Sequence, residues 1–276
     1  MKPRFAVLGY PLGHTLSPAL HKILFRRSGI DAEYTAIPLT PEEFPVRAGE
    51  LFELNGFNVT MPYKQRIIPF LNGATEEALR FQSVNTVGIY ASGRRVGHNT
   101  DIAGIIKSVE LLGASLRGNI CIAGAGSTAR MLSTEIVRRG GKVTIGVREG
   151  SMPKGEALVH AVSRQSASPS VTVRTLESLN QTFDLLVNAT PCGMAPDTAG
   201  CPFPDRVILA SEKVLDLIYN PSETTLLAKA RAMGKKALNG LPMLVWQAAG
   251  SHEFWYHAKF TDTELLDVVD ELSHIL

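Results

Sequence analysis

Short apolar runs rich in β-branched residues alternate, in the first part of the chain, with segments whose apolar residues recur at helical spacing. RFAVLG at 4–9 predicts a strand, and SPALHKILFRRSG at 17–29 predicts a helix with Ser17 as its N-cap. EYTAIPL, a helix opening at Thr40, and GFNVT repeat this order. Such alternation favours parallel strands joined by helical crossovers. TVGIYA and RRVGHN flank a Ser-Gly turn and predict a hairpin that closes this block.

A second block of the same kind follows. NICIAGAG at 119–126 predicts a buried strand ending in glycines, STARMLSTEIVRRGG an amphipathic helix, and KVTIGV the next strand. VTVRTL, DLLVNAT and VLDLIY predict further strands, TTLLAKARAMGKK a late helix, and the polar stretch 163–171 a loop. The tail has helical periodicity and could pack on either block. The sequence therefore predicts an α/β protein made of two blocks.

A glycine motif lies where the first strand of the second block meets its helix. Gly124, Gly126 and Ala129 form G-x-G-x-x-A inside a strand-helix-strand unit. The first glycine permits a tight turn, the second lets the backbone approach a pyrophosphate, and the small third residue lets helix and strand pack closely. The helix N-terminus then presents its amide groups to the phosphates. This context predicts a dinucleotide site; the alternative is a tight turn without a ligand.

The residues after the next strand bear on the choice of dinucleotide. An acidic side chain there would accept from the ribose 2′-hydroxyl of NAD, whereas an arginine suits the 2′-phosphate of NADP. The sequence has both, Arg148 and Glu149. Arg148 is nearer the strand and its planar donors suit a phosphate, so NADP is favoured, with NAD and a merely solvated Arg148 as the alternatives.

Composition narrows the class of protein. The 276 residues suffice for about two domains, and 28 Lys plus Arg against 26 Asp plus Glu give a net charge of only +2. Without a basic run, neither nucleic acid nor an anionic membrane is indicated as a partner. The apolar run at the N-terminus is too short for a signal peptide, and no stretch approaches the roughly 18 apolar residues of a membrane span.

The cysteines point to a reducing compartment. Cys121, Cys192 and Cys201 are odd in number and lack the Cys/His spacing of a zinc site. We therefore expect a cytoplasmic protein without a disulfide framework or a metal site. The sequence does not distinguish a monomer from a homodimer.

Three stretches of the first block are polar where a core would be apolar: GHTLSP at 13–18, NVTMPYK at 58–64 and the segment 84–101. They supply the hydroxyls of Thr15, Ser17 and Thr60, the carboxamides of Asn58, Asn85 and Asn99, and the charges of Lys64 and Asp101. If these groups converge, they suit a polyhydroxylated ligand, because each unsatisfied buried polar group costs about 1 to 3 kcal/mol. Taken singly, each has a simpler role as a cap or turn residue.

The chain resembles the shikimate dehydrogenases, including their quinate/shikimate branch, nearly from end to end. The resemblance rests on GYPLGHTLSP, GFNVTMPYK, SVNTV, GHNTD, GAGSTAR, NATPCGM, DLIYNPSETTLL and NGLPMLVWQAA, in this order. It implies an N-terminal α/β substrate domain, 1–101 with 238–276, and a Rossmann-type NADP-binding domain, 102–237, with the active site in the cleft between them.

The resemblance also implies roles for individual residues. Lys64 matches the catalytic lysine and Asp101 its aspartate partner. The positions that match substrate-binding residues are Thr15, Ser17, Thr60, Asn85, Asp101, Tyr219 and Gln247. Those that match the pyrophosphate loop are Gly124, Ala125, Gly126, Ser127, Thr128 and Ala129, and those that match segments flanking the nicotinamide are Thr190, Met194, Gly240 and Met243.

Three positions depart from the family pattern. Thr15 stands where most members have serine, which keeps the hydroxyl but adds a methyl group. The loop at Arg148 reads VRE where NADP-using members usually read Asn-Arg-Thr, which weakens the choice of NADP. The third departure is QAAGSHEFW at 247–255, where the family usually has more apolar residues after the glutamine. Gly250, Ser251 and His252 in this stretch could alter the pocket wall or only the helix surface.

The resemblance implies the reversible NADP-dependent reduction of 3-dehydroshikimate to shikimate, a step toward aromatic amino acids. Lys64 would protonate the carbinol oxygen and Asp101 would orient the lysine. One alternative is a quinate/shikimate dehydrogenase or an enzyme for a related cyclic hydroxy acid, using NADP or NAD. The other is a non-catalytic nucleotide-binding regulator, which would have no need for the Lys64 and Asp101 pair.

Overall fold

The structure is a computed structural model that describes residues 2–13, 15–165 and 170–276. Its contacts divide the chain into two compact units. The first unit is Met1–Ala103 with Leu244–Leu272, and the second is Gly104–Met243 with Ser273–Leu276. Each unit is therefore assembled from two separate stretches of the chain. No helix among the described residues has the length and apolar character needed to span a membrane.

The strands of the first unit are β1 Arg4–Gly9, β2 Glu33–Pro38, β3 Gly56–Val59, β4 Gly73–Ala74, β5 Thr86–Ile89 and β6 Arg95–His98. Those of the second are β7 Asn119–Ala123, β8 Lys142–Val147, β9 Val171–Thr175, β10 Leu185–Asn188, β11 Lys213–Asp216 and β12 Lys236–Leu238. The helices are α1 Ser17–Arg27, α2 Phe44–Arg47, α3 Glu76–Phe81, α4 Asp101–Leu111, α5 Ser127–Arg138, α6 Met152–Ser163, α7 Asp205–Ala210, α8 Thr225–Ala232, α9 Leu241–Tyr256 and α10 Asp262–Ser273.

The first unit contains a mixed sheet with the strand order β2-β1-β3-β5-β6-β4. β1 pairs with β2 and β3 in parallel, as the alternation predicted, but β3 pairs with β5 antiparallel. The hairpin predicted from TVGIYA and RRVGHN is confirmed as β5 and β6. Buried apolar side chains pack on this sheet, among them Phe44, Phe57 and Tyr63.

The second unit contains a parallel sheet with the strand order β12-β11-β10-β7-β8-β9. This is the strand order of dinucleotide-binding sheets, in which the first strand of the unit, β7, lies between β10 and β8 at the centre of the sheet. β7, β8 and β10 are almost entirely buried, which explains why their sequences are continuous apolar runs rather than alternating ones. The predicted α/β class with two blocks is confirmed.

Two helix starts differ from the prediction. Ser17 is the first residue of α1, whose N-cap position is Leu16 without a side-chain hydrogen bond, so the expected N-cap role of Ser17 is wrong. The helix expected to open at Thr40 begins at Phe44. Thr40 instead forms a reciprocal pair with Glu43, whose carboxylate accepts the Thr40 N–H at 2.8 Å while Thr40 Oγ1 accepts the Glu43 N–H at 3.2 Å.

The polar loop expected at 163–171 follows α6 and precedes β9. Its residues 166–169 lie outside the part of the chain that the structure describes.

Candidate active site

Lys64 follows β3 after a short turn whose backbone is fixed on both sides. The N–H of Tyr63 donates to the Thr60 carbonyl at 2.9 Å, and the Lys64 carbonyl accepts the N–H of Val84 at 2.8 Å. The Tyr63 side chain is fully buried, stacks on Phe44 at 4.5 Å and donates its hydroxyl to the Leu39 carbonyl. A buried aromatic anchor therefore sets the position of the lysine next to it.

The partner of Lys64 is Asp101, the first residue of α4. Lys64 Nζ lies 2.6 Å from Asp101 Oδ2, and the two side chains are only 16% and 8% exposed. The negative charge of Asp101 is stabilised by its place at the helix N-terminus, where backbone N–H groups favour an anion. Because both charges are partly withdrawn from water, removing one of them leaves the other poorly compensated.

Asn85 holds the second oxygen of Asp101. Its Nδ2 donates to Asp101 Oδ1 at 2.8 Å and to Thr100 Oγ1 at 2.8 Å, while its Oδ1 accepts the N–H of Thr100 at 2.8 Å. Gln247 Oε1 lies 3.4 Å from the same Nδ2. The structure thus brings together four of the predicted site residues, Lys64, Asp101, Asn85 and Gln247.

Among the other predicted residues of the first unit, the three with hydroxyl groups, Thr15, Ser17 and Thr60, are partly exposed. Thr15 Oγ1 lies 3.2 Å from Ser17 Oγ and accepts the N–H of Ser17 at 3.3 Å, so these two form a pair. Thr60 directly follows β3 and donates its N–H to the Leu8 carbonyl at 2.8 Å. Two predicted carboxamides serve the fold: Asn58 and Asn99 are buried and bond to neighbouring backbone at 3.1 and 2.9 Å.

The glycine motif of the second unit has the geometry of a phosphate loop. Gly124 has φ +111°, and a Cβ there would lie 2.9 Å from Thr190 Cγ2, so only glycine fits. Gly126 is the N-cap of α5 without a side-chain cap, and a Cβ there would meet no atom within 4 Å. Ala129 is fully buried against the sheet. Open space beside uncapped N–H groups fits a dinucleotide pyrophosphate; Ala125, Ser127 and Thr128 complete this loop.

Two loops near the ends of β8 and β10 carry further predicted cofactor residues. Arg148 is exposed directly after β8. Thr190 follows β10 and donates both its N–H, at 3.0 Å, and its hydroxyl, at 2.6 Å, to Asn188 Oδ1. Burial raises the pKa of the Cys192 thiol, and the positive charge of Arg148 opposes this shift. Met194, in the same loop as Thr190, is 43% exposed.

The remaining predicted residues of the second unit are Gly240, Tyr219 and Met243. Gly240 is buried and donates its N–H to the Ile218 carbonyl at 2.9 Å, which places it beside the segment that carries Tyr219. Tyr219 is partly buried, and burial raises the pKa of its phenol. Met243 is half-buried in the first turn of α9.

A buried carboxylate behind the Thr190 loop was missed by the sequence reasoning. Asp216 is fully buried at the end of β11 and accepts from Asn188 Nδ2 at 3.0 Å, from the Thr224 hydroxyl at 2.7 Å and from the Ile218 N–H at 3.1 Å. Burial raises the pKa of Asp216, and these hydrogen bonds oppose the shift. The signal available was a lone acid in the apolar strand VLDLIY.

A pairing that the sequence reasoning missed lies in the first unit, where α1 and α9 meet, and it involves His252 of the departing α9 segment. His21 Nδ1 is 2.9 Å from His252 Nε2, both rings are buried, and His252 Nδ1 bonds to the hydroxyl of Tyr256. His21 stacks on Tyr34 at 4.0 Å, and Tyr34 donates its hydroxyl to Asn58 Oδ1 at 2.7 Å. Burial lowers the pKa of both histidines, that of His252 to about 3, so the pair is neutral.

A dinucleotide-type sheet with its glycine loop, together with a partly buried Lys64–Asp101 pair, places the chain among nicotinamide-dependent oxidoreductases. The chain is 36% identical over 260 residues to the shikimate dehydrogenase (NADP(+)) of Shouchella clausii, covering 92% of this chain and 93% of that protein. The chain belongs to the shikimate dehydrogenase family.

Other comparisons agree with this assignment. Residues 7–87 match the family model for the shikimate dehydrogenase substrate binding domain. The crystal structure of shikimate 5-dehydrogenase from Thermus thermophilus in complex with NADP(H) and shikimate is 30% identical, with a TM-score of 0.85 over 98% of this chain and 99% of that one. Quinate dehydrogenase from Corynebacterium glutamicum in complex with NAD is 27% identical, with a TM-score of 0.84 over 98% and 99% of the two chains.

Proposed function

We propose that the chain catalyses the reversible NADP-dependent reduction of 3-dehydroshikimate to shikimate. The observation that carries this proposal is the Lys64–Asp101 pair, with Nζ and Oδ2 at 2.6 Å, in a member of this family. A binding-only protein would gain nothing from keeping two partly buried opposite charges, since their desolvation is costly. This argues against a non-catalytic regulator.

The proposed substrate is a ring that carries hydroxyl groups and a carboxylate, and each of these groups needs hydrogen-bond partners. Lys64, Asp101, Asn85 and Gln247 supply donors and acceptors for ring hydroxyls. The hydroxyls of Thr15, Ser17 and Thr60, and that of Tyr219 in the second unit, complete the proposed substrate set. We assign substrate binding to the block 1–101 with 238–276, and nucleotide binding to 102–237.

The chemistry requires a proton at the carbinol oxygen when the carbonyl carbon is reduced. NADPH supplies the hydride when it is bound. Lys64 donates the proton from its ammonium to the oxygen, and takes it back when shikimate is oxidised. Asp101 keeps the ammonium oriented through Oδ2, while Asn85 holds Oδ1 and prevents the carboxylate from turning away.

NADP is the proposed cofactor because Arg148 follows β8, the position at which a guanidinium meets a 2′-phosphate. The residues proposed to hold the rest of the dinucleotide are Gly124, Ala125, Gly126, Ser127, Thr128 and Ala129 at the pyrophosphate, and Thr190, Met194, Gly240 and Met243 near the nicotinamide.

A second candidate function is the oxidation of quinate, with NADP or NAD. Two observations favour it: Glu149 next to Arg148, and the added methyl group of Thr15 in the substrate set. A quinate dehydrogenase that binds NAD is also among the similar structures.

Initial rates with shikimate and quinate, each crossed with NADP and NAD, separate these functions. We expect the highest kcat/KM for shikimate with NADP. A higher kcat/KM for quinate, or an NAD preference of about tenfold, equivalent to about 1.4 kcal/mol, would reverse the assignment of substrate or cofactor. Absence of substrate-dependent NADP reduction with every pair would support the binding-only alternative.

A further inference from the structure

The segment Gly250-Ser251-His252 of α9, which departs from the family pattern, packs directly behind the Lys64–Asp101 pair. A Cβ at Gly250 would lie 3.1 Å from Cγ2 of Thr100, the residue before Asp101. Glycine therefore lets the backbone of α9 approach the start of α4 closely. Ser251, the next residue, is fully buried. Its hydroxyl therefore needs hydrogen-bond partners, because an unpaired buried polar group is costly.

Ser251 Oγ has three polar neighbours. It accepts from Asn58 Nδ2 at 2.8 Å, and its one hydrogen has two acceptors within reach, Thr86 Oγ1 at 2.9 Å and the Gln247 carbonyl at 3.1 Å. The bond to Gln247 is an ordinary contact within a helix. The other two contacts are with Asn58 in β3 and Thr86 in β5. Ser251 therefore connects α9 to the strand before the Lys64 turn and to the strand that begins directly after Asn85.

The donors and acceptors form a directed chain. Tyr34 donates to Asn58 Oδ1, which fixes Asn58 Nδ2 toward Ser251. With its oxygen accepting from Asn58, Ser251 donates its hydrogen to Thr86 Oγ1 in this chain, in place of the Gln247 carbonyl. The hydroxyl of Thr86 can then donate to Asn85 Oδ1 at 3.1 Å.

Asn85 is the last link of this chain. Its Oδ1 also accepts the N–H of Thr100, so two donors hold the carboxamide oxygen. With the oxygen held, Nδ2 points to Asp101 Oδ1. A hydroxyl of α9 therefore contributes, through Thr86, to the orientation of the carboxamide that bonds to Asp101.

We propose that Ser251 is a positioning residue for the reaction: through Thr86 and Asn58 it holds the Asn85 carboxamide in the orientation that keeps Asp101 directed at Lys64. This inference rests on the proposed function, because it presumes that Lys64 and Asp101 carry the chemistry. Ser251 does not touch substrate; it acts through Asn85.

The test compares Ser251→Ala with Ser251→Thr, which keeps the hydroxyl. We expect Ser251→Ala to lower kcat for shikimate oxidation by about tenfold and to shift the pH profile of kcat, because misplacing a reacting group costs rate. We expect Ser251→Thr to stay within about threefold of the parent enzyme in kcat. Shikimate binding without nucleotide, measured by calorimetry, should weaken in Ser251→Ala.

The matched control is Ser211→Ala. Ser211 is also buried, and its hydroxyl donates to the Val207 carbonyl at 2.7 Å, the same contact within a helical turn. We expect Ser211→Ala to lower the melting temperature without changing kcat or the pH profile of kcat. A Ser251→Ala variant that loses only thermal stability, like the control, overturns the proposal.

A double-mutant cycle with Thr86→Val sharpens the test. Two residues that act in series on Asn85 should give a double variant about as slow as the slower single variant, whereas independent losses would multiply. Multiplied losses overturn the proposal. Lys64→Ala is measured in parallel: if it retains activity the proposed function fails, and if it is inactive while Ser251→Ala is normal, only the role of Ser251 fails.

Discussion

His252 is a buried imidazole surrounded by the neutral side chains of His21, Tyr256 and Phe25. Its pKa is lowered by burial to about 3 in the folded chain, against 6.5 ordinarily. The unfolded chain therefore takes up a proton as the pH falls below 6.5, while the folded chain does not until about pH 3. The stability that the neutral ring contributes is present above pH 6.5 and is lost as the pH falls through this window.

From this linkage we predict that His252→Phe makes the protein less sensitive to acid. Between pH 7.5 and 5.0 the parent should lose about 2 kcal/mol more of its free energy of unfolding than the variant does, as measured by urea denaturation. His160→Gln, at an exposed position on α6, should leave the loss unchanged. Equal losses in the parent and in His252→Phe would contradict the neutral buried ring.

Single residues were predictable where a motif carries chemistry and less so where they serve packing. The polar stretches of the sequence and the family resemblance predicted the Lys64 and Asp101 pair, which the structure brings to 2.6 Å. Ser17 was misread as an N-cap, because a serine before a proline has the same sequence signature whether it caps the helix or begins it. Asp216 escaped notice, and the role of Ser251 was left open, because their partners come from distant parts of the chain.

At the scale of elements, a substitution in the turn between β7 and α5 should affect nucleotide binding without affecting stability. Gly126 has φ −85° and ψ −174°, extended backbone that alanine also adopts, and a Cβ would meet no atom within 4 Å. We predict that Gly126→Ala leaves the melting temperature unchanged and raises the KM for NADPH by about tenfold, since the methyl group takes the space beside the pyrophosphate. An unchanged KM would contradict the placement of the phosphates at this helix.

The packing of α9 on the sheet of the first unit depends on another glycine. A Cβ at Gly56 in β3 would lie 2.6 Å from Trp255 Nε1, which donates to the Val87 carbonyl at 2.9 Å. We predict that Gly56→Ala lowers the free energy of unfolding by about 1 to 3 kcal/mol, because the indole must move from its partner.

Gly49→Ala is the matched control for this variant. A Cβ at Gly49 meets no atom within 4 Å. Chemical denaturation should show a change within about 0.5 kcal/mol for Gly49→Ala. Equal effects at Gly56 and Gly49 would show that the indole adapts freely.

Elements with a strong local pattern were predicted, and the two-residue strand β4 was not. β7, β8 and α5 have continuous apolar runs or helical spacing and lie where expected. The antiparallel pairing of β3 with β5 was not predicted, because local periodicity carries no information about strand direction. β4 has only two residues, Gly73–Ala74, and exists through its pairing with β6.

At the scale of the whole molecule, the tail illustrates what sequence patterns leave open. Its helical period was compatible with packing on either block, and the structure assigns Leu244–Leu272 to the first unit. The contacts that decide this are non-local: Trp255 bonds to Val87, and Arg26 of α1 forms an ion pair with Glu271 of α10 at 2.8 Å. Such contacts depend on side-chain complementarity across many residues, which hydrophobic periodicity does not encode.

Lys64 is proposed to exchange the proton with the carbinol oxygen, and this role is tested most directly by kcat for the NADPH-dependent reduction of 3-dehydroshikimate by Lys64→Ala. The control is Lys22→Ala, at an exposed position of α1. We predict a loss of about 10²- to 10⁴-fold in kcat for Lys64→Ala, the range for removal of a general acid, and none for the control. A kcat for Lys64→Ala within about threefold of the parent value would contradict the account.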